Sequence, residues 1–369
     1  MSLATPFHAR TAEANRANLW APRGRFTLPV RFEGAEREAL AARFGVIVSD
    51  ISWRWRVMLE GARARELVQR LFTKDAAALT PGTALKALWL SDGGGVRGAG
   101  VVARYGRQTF QLVAAAEDSD WIAAAATLFG VTARDVTEDE CGLAIAGPYA
   151  AKLIAALGLD PALEPLAFRK VFWRSLDLTV SRFGELGGYE LWCKSDDAPL
   201  LWDRVVLAGQ AFALTLAGLE AMDILDLEAG VPRPGRDYDG ATAPDATMPL
   251  AGELRLASLI DPDHPNFNGA KPALLAKPKR KLVGLVLDSV SPAAFTPLMS
   301  NGAVVGRTLS SRFSPALRRA IALAQLDEGH SGAGLSLALP ASRERLLPTM
   351  AAAHVVDLPF LSPPIPIAP

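Results

Sequence analysis

The chain changes texture near residue 279, and that change limits its fold more than any single motif. Ahead of it, strand-like runs rich in β-branched and aromatic residues alternate with segments whose apolar positions recur at helical spacing. Beyond it only short strand-like runs remain, KLVGLVLD, AVVGRTLS, IALAQLD, LSLAL and HVVDLPF, with turns rich in Gly, Pro and Ser. That last third reads as a small all-β barrel or sandwich. The Pro- and Lys-bearing segment 271–280 reads as the linker, so the expected divisions are residues 1–275 and 279–366 of an α+β chain.

Within the first part, FGVIVSDISWRWRVMLE (44–60) alternates and predicts strands on either side of a turn at Asp50. Residues 62–72 place Leu67, Val68, Leu71 and Phe72 at helical spacing. LKALWLSD, the glycine cluster 93–95, GVVARYG and TFQLVAAA then predict an antiparallel meander, followed by a helix at about 118–129 that Asp118 or Ser119 caps and Gly130 stops. Strand-helix-strand-strand-helix order is ferredoxin-like rather than doubly wound. The second third repeats the theme: a helix in GPYAAKLIAALG, strands in LDLTVSRF and GYELWC, a helix in APLLWDRVVLAG and an acidic helix over 218–229.

At 369 residues, half of them hydrophobic, the chain is long enough to fill more than one core. Its 39 Lys and Arg balance 39 Asp and Glu, which removes the global electrostatic argument for a nucleic-acid or anionic-membrane partner. The first residues are polar where a secretory signal would be apolar, and no run approaches ~20 uninterrupted apolar residues. A cytoplasmic protein without a membrane segment is the expectation. Cys141 and Cys193 are far apart in sequence and offer neither a disulfide framework nor a zinc spacing, so they read as buried apolar thiols. His8, His264, His330 and His354 are isolated, and no metal site is expected.

Two motif matches fail on context. Residues 93–98, GGGVRG, satisfy G-x-G-x-x-G, but a strand follows where a dinucleotide site needs a helix N-terminus. GHSGA (329–333) approaches a nucleophile elbow, yet it ends in Ala and precedes a strand.

The window 181–238 is the most informative for function. It joins a glycine-rich loop and an aromatic pair in SRFGELGGYELW to a helix carrying Glu220, Asp223, Asp226 and Glu228, then to GRDY. Such a layout can bury a planar, hydrogen-bonding ligand. Taken in order with FGVIVSDIS, LFTKDAAALTPG, LAIAGPYAAKLI, NFNGAKPAL, KRKLVGLVLD, VVGRTLSSRFSPALRRAIALA and VVDLPF, it resembles the folate-binding aminomethyltransferase superfamily. That group holds the glycine-cleavage T-protein and the tetrahydrofolate-dependent demethylases.

The resemblance implies two ferredoxin-like lobes and a C-terminal β-barrel around a channel that holds tetrahydrofolate. A carboxylate can accept two of the adjacent N–H donors of a pterin in a planar pair. The resemblance assigns that task to Glu185; the loop is about two residues shorter than usual, so Glu190 is the substitute. Tyr189, Asp223 and Tyr238 complete the implied cofactor set. Trp53, Trp55 and Trp89 are candidates for an apolar substrate pocket, although core packing explains these tryptophans equally well. The catalytic residues are unknown. In the glycine-cleavage enzyme an aspartate follows the Gly-Gly hairpin, where this chain has Arg97-Gly98-Ala99-Gly100. Met222, Ala251 and Leu256 are further departures. The expected reaction is therefore transfer of a one-carbon group from a small methylated donor to N5 of tetrahydrofolate. A folate-binding regulatory or partner subunit without catalysis, and aminomethyl transfer proper, are the alternatives.

Overall fold

The structure is a computed structural model that describes residues 2–184, 186–264, 266–288, 291–340 and 350–362. Its first lobe is a five-stranded antiparallel sheet in the order Ala84–Leu90, Val96–Arg104, Thr109–Ala114, Trp55–Glu60, Thr132–Asp135. Helices Ala64–Leu71 and Ser119–Leu128 cover one face; Leu67, Val68, Leu71, Ile122 and Ala126 meet Val57, Leu59, Phe110 and Leu112 in one buried cluster. The helical spacing of the sequence thus marks the stripe that is buried.

The second lobe repeats the order. Its sheet runs Phe168–Trp173, Leu176–Ser181, Tyr189–Lys194, Glu140–Ala146, Val46–Asp50, Leu214–Leu216, with helices Ala150–Ala156 and Ala198–Gly209 on one face. Both lobes pass from a strand through a helix, a three-stranded meander and a second helix to a last strand. In the second lobe Val46–Asp50 is inserted before that last strand and pairs with it in parallel. The three runs expected in the first lobe's meander are its three strands, while the two expected in the second lobe are corrected to three. Phe168–Trp173 escapes a pattern reading because it is an edge strand whose Arg169, Lys170 and Phe172 are not buried, so period-2 alternation is lost. The N-terminal strands Leu3–Ala4, Trp20–Arg23 and Phe26–Pro29 form a small third sheet that the sequence reading missed.

The C-terminal strands Arg280–Leu287, Pro297–Ser300, Ala303–Ser314, Arg319–Asp327, Ser336–Pro340 and Met350–Val356 close into a barrel, so the barrel alternative to a sandwich is the observed one. Closure leaves no free sheet edge. The acidic helix, Leu219–Glu228, ties this barrel to the lobes. Asp223 meets Arg23 at 3.0 Å, Arg236 at 3.1 Å and, from the barrel, Arg312 at 3.7 Å. Glu228 accepts from Arg43 and from barrel Ser314 Oγ, each at 2.6 Å. Among the described residues no helix is long and apolar enough to cross a membrane.

Candidate functional site

Strand Tyr189–Lys194 divides its side chains by alternation. Tyr189, Leu191 and Cys193 turn into the core beneath the helices. Glu190 and Trp192 turn toward the first lobe, where Arg54 and Arg56 meet them. Arg54 Nη1 donates to Glu190 Oε1 at 2.5 Å, and Trp192 Nε1 donates to Glu190 Oε2 at 3.1 Å. The Arg56 guanidinium lies 3.8 Å from the Trp192 ring centroid and is itself anchored by Gln111 and Glu140. Glu190 is buried, and a buried carboxylate persists only when ion-paired and hydrogen-bonded.

Two adjoining cavities open beside this pair. The larger, about 120 Å³, lies beneath the hairpin strands and is lined by Ala99, Val101, Val113, Phe183 and Tyr238, among others. The smaller, about 20 Å³, lies under the glycine loop against Ala144, Ala146, Gly184, Gly188, Glu190 and Asp226. Arg54 and Arg233 line both and mark their junction. Asp226 pairs with Arg233, so each junction arginine has its own carboxylate. The glycines keep the smaller cavity narrow: a Cβ on Gly188 would lie 2.0 Å from the Ile145 carbonyl oxygen. Tyr238 is buried with no hydrogen-bond partner for its hydroxyl among the described residues, and burial, then Asp237, pushes the phenol above its ordinary range.

The structure sorts the expected site residues. Glu190 and Tyr238 line the cavities. Tyr189 borders the smaller one, but its hydroxyl is spent on the Pro161 carbonyl at 2.8 Å. Asp223 is surrounded by three arginines and lines neither cavity. Glu185 lies outside the described residues. The three tryptophans lie apart from both cavities. Trp53 packs with Phe26, Leu28 and Leu219, Trp55 donates to Asp135, Trp89 donates to Asp118, and none of them lines either cavity. Core packing accounts for all three.

Arg54, Arg233 and Phe183 line the cavities and were not singled out by the sequence reading, while Asp226 was named only as one carboxylate of the acidic helix. Arg54 carries a signal, being a cation between two aromatic residues in SWRWR at a turn; Arg233 carries none, since it follows the acidic helix in an irregular loop. The cysteines hold a surprise of the same kind. Cys141 and Cys193 face each other across paired strands with their sulfurs 3.5 Å apart, and that contact, with burial, pushes the Cys141 thiol up. Both thiols are free.

The hairpin explains one departure physically. Trp89 lies flat across Gly98, so a Cβ at position 98 would sit 2.1 Å from the indole; a Cβ on Gly100 would sit 2.6 Å from the Val113 carbonyl oxygen. Side chains are excluded there by packing. Ala99 is the side chain of this segment that lines the larger cavity, and it brings no carboxylate.

The fold is that of a three-lobed α+β protein with two adjoining cavities. Residues 7–250 match the family described as the GCVT N-terminal domain, and residues 280–361 match the glycine cleavage T-protein C-terminal barrel domain. An aminomethyltransferase of Frankia alni is 32% identical over 321 residues, covering 83% of this chain and 85% of that protein. One from Thermotoga neapolitana is 30% identical over 348 residues, covering 90% and 91%. The crystal structure of glycine cleavage system aminomethyltransferase T from Bartonella henselae superposes with a TM-score of 0.87 at 22% identity, covering 99% of both chains, and so shares the fold. The chain belongs to the glycine cleavage T-protein family.

Proposed function

We propose that the protein is a tetrahydrofolate-dependent one-carbon transferase and that the two joined cavities hold the folate. Aminomethyl transfer of the glycine-cleavage type is the reading that its relatives favour over demethylation of a small methylated metabolite. The observation that carries folate binding is the Glu190 carboxylate, buried at the junction with Oε1 shared with Arg54 and its lone pairs not all used. Such a group accepts the N–H donors of a planar heterocycle.

The residues present suit this ligand. Small residues floor the smaller cavity, and the unpartnered Tyr238 hydroxyl offers a hydrogen bond at the wall of the larger one. Bound tetrahydrofolate supplies N5 as the acceptor of the one-carbon unit. Glu190 would fix the ring, Arg54 and Arg233 would border its polar parts, and Phe183, Val101 and Val113 would exclude water from the larger cavity, where exclusion strengthens electrostatic contacts. Orientation in such a site supplies much of the rate of a transfer reaction.

Demethylation stands as a second reading on one specific observation: the hairpin face of the larger cavity, Ala99 to Val101, carries no carboxylate to assist an amine leaving group. Product analysis decides. Incubation with tetrahydrofolate and an aminomethyl donor is expected to give methylene-bridged folate and an equal amount of ammonia. If 5-methyltetrahydrofolate instead forms from methoxyaromatics, methylated amines or methylated sulfur compounds, the second reading replaces the first. Failure to bind tetrahydrofolate at high micromolar concentration removes both.

A further inference from the structure

We infer that Trp192 is a positioning residue for Glu190: its indole N–H reserves one carboxylate oxygen from Arg54 and so keeps the cavity junction open to a hydrogen-bonding ligand. The inference rests on the folate reading of the same cavities and adds to it a residue in neither cavity wall.

The indole is placed from both sides. Across the strand pair Trp192 faces Gly142, where a Cβ would lie 2.4 Å from the ring, so only glycine lets the indole lie flat on its neighbour strand. On the other side Arg56 stacks on it at 3.8 Å, with Nη2 on Gln111 at 2.9 Å and on Glu140 at 2.8 Å; the Tyr105 hydroxyl holds the same Gln111 oxygen. Trp192 therefore has little freedom to move, and its N–H meets Glu190 Oε2 at 3.1 Å.

On the loop side Gly184 brings no side chain against Glu190, and a Cβ there would lie a tight 3.3 Å from Oε1, so glycine leaves that oxygen room. Arginine and carboxylate tend toward a bidentate fork. The chain shows that alternative elsewhere, where Arg97 takes both oxygens of Asp118 at 2.7 and 2.8 Å. At Glu190 the Arg54 contact is to Oε1 alone, while Oε2 goes to the indole and, at 3.5 Å, to Ser181 Oγ. Without the indole N–H, Glu190 is free to turn toward Arg54 and close the fork, which takes the carboxylate out of the orientation that a ligand in the cavity needs.

Trp192→Phe tests this, since it keeps an aromatic face for Arg56 and removes the donor along with part of the ring's volume. With 5-formyltetrahydrofolate as probe, the dissociation constant is expected to rise about tenfold, the scale of a hydrogen bond to a charged group. Glu190→Gln is expected to add little in the Trp192→Phe background, because both changes act through one acceptor. Gly142→Ala, which displaces the ring without altering its chemistry, should give the same loss. Unchanged affinity in Trp192→Phe, or losses that simply add, overturns the inference. A second readout needs no folate: the indole N–H resonance of Trp192 should be protected from exchange and should shift in Glu190→Gln. If the wild-type protein fails to bind the probe, the folate reading falls while the resonance still judges the contact; an indole signal indifferent to Glu190→Gln sinks the positioning role.

Discussion

Two places in this molecule use the same four parts to different ends. In the first lobe Trp89 lies across Gly98, donates its indole N–H to Asp118 at 2.9 Å, and Arg97 grips both oxygens of that carboxylate. In the second lobe Trp192 lies across Gly142, donates to Glu190, and Arg54 takes one oxygen. The internal repeat does not relate them, because Trp89 sits on the first strand of its meander and Trp192 on the third. The instructive difference is how the arginine takes the carboxylate. Asp118 lines neither cavity and Arg97 holds both of its oxygens, so the unit fastens a hairpin to a helix start. Glu190 and Arg54 line a cavity, and the pair is left one contact short of a closed fork.

The largest expected effect comes from breaking the closed unit. Asp118→Ala strands the Arg97 guanidinium and the Trp89 N–H in a largely buried place, and removal of one partner from a buried pair costs about 3 to 5 kcal/mol. Urea unfolding measures it. A loss below about 1 kcal/mol, on the scale of an exposed ion pair, would show that the first unit does not act as a clamp. Folate affinity of the folded protein should stay at the wild-type level.

Glu190→Gln is expected to do the reverse. Arg54 opens onto both cavities, so water can solvate it once its partner is neutral, and the stability cost should be only about 1 to 2 kcal/mol. Binding of 5-formyltetrahydrofolate should weaken by about tenfold or more, as a charge-assisted contact becomes neutral. Isothermal titration alongside urea unfolding separates the two quantities. Equal behaviour of the two variants in both assays would erase the distinction between the units.

The comparison also shows what could be read in advance. Helical stripes such as Leu67, Val68, Leu71 and the short regular strands after residue 279 announced both lobes and the barrel, because periodicity reports which face is buried. Trp192 shares a strand face with Glu190 two residues away, which alternation makes legible. The Arg54 contact is not legible, since it joins groups 136 residues apart. A tryptophan or carboxylate in sequence looks alike whether it faces a cavity, a glycine or three arginines, as Trp89 and Asp223 illustrate.

Gly98→Ala gives a smaller test on the closed side. The added methyl must push Trp89, and overpacking of this kind costs about 1 to 3 kcal/mol. It should loosen the indole–Asp118 contact without touching ligand affinity, whereas Gly142→Ala should lower affinity. Near-ultraviolet circular dichroism reports the displaced indole in each, and a wild-type spectrum for Gly98→Ala would mean that the ring has room to spare.

The smallest effect belongs to a third buried carboxylate with no arginine. Asp50, at the end of strand Val46–Asp50, accepts from the Ser52 backbone N–H at 2.9 Å, yet burial outweighs that contact and the pull of Ser52 and Thr5 side chains and raises the carboxyl above its usual range. A carboxyl with a raised folded-state value binds its proton more tightly when folded. Its favourable contribution is complete below the unfolded value and is lost as pH climbs through the folded one. Above the ordinary aspartate value the group therefore opposes folding. Asp50→Asn should make the protein slightly more stable at pH 7, with the advantage shrinking as pH is lowered toward the ordinary aspartate value. Thermal unfolding of both proteins across that range measures the gap; a gap that widens on acidification would mean that Asp50 is stabilised as an anion by a partner.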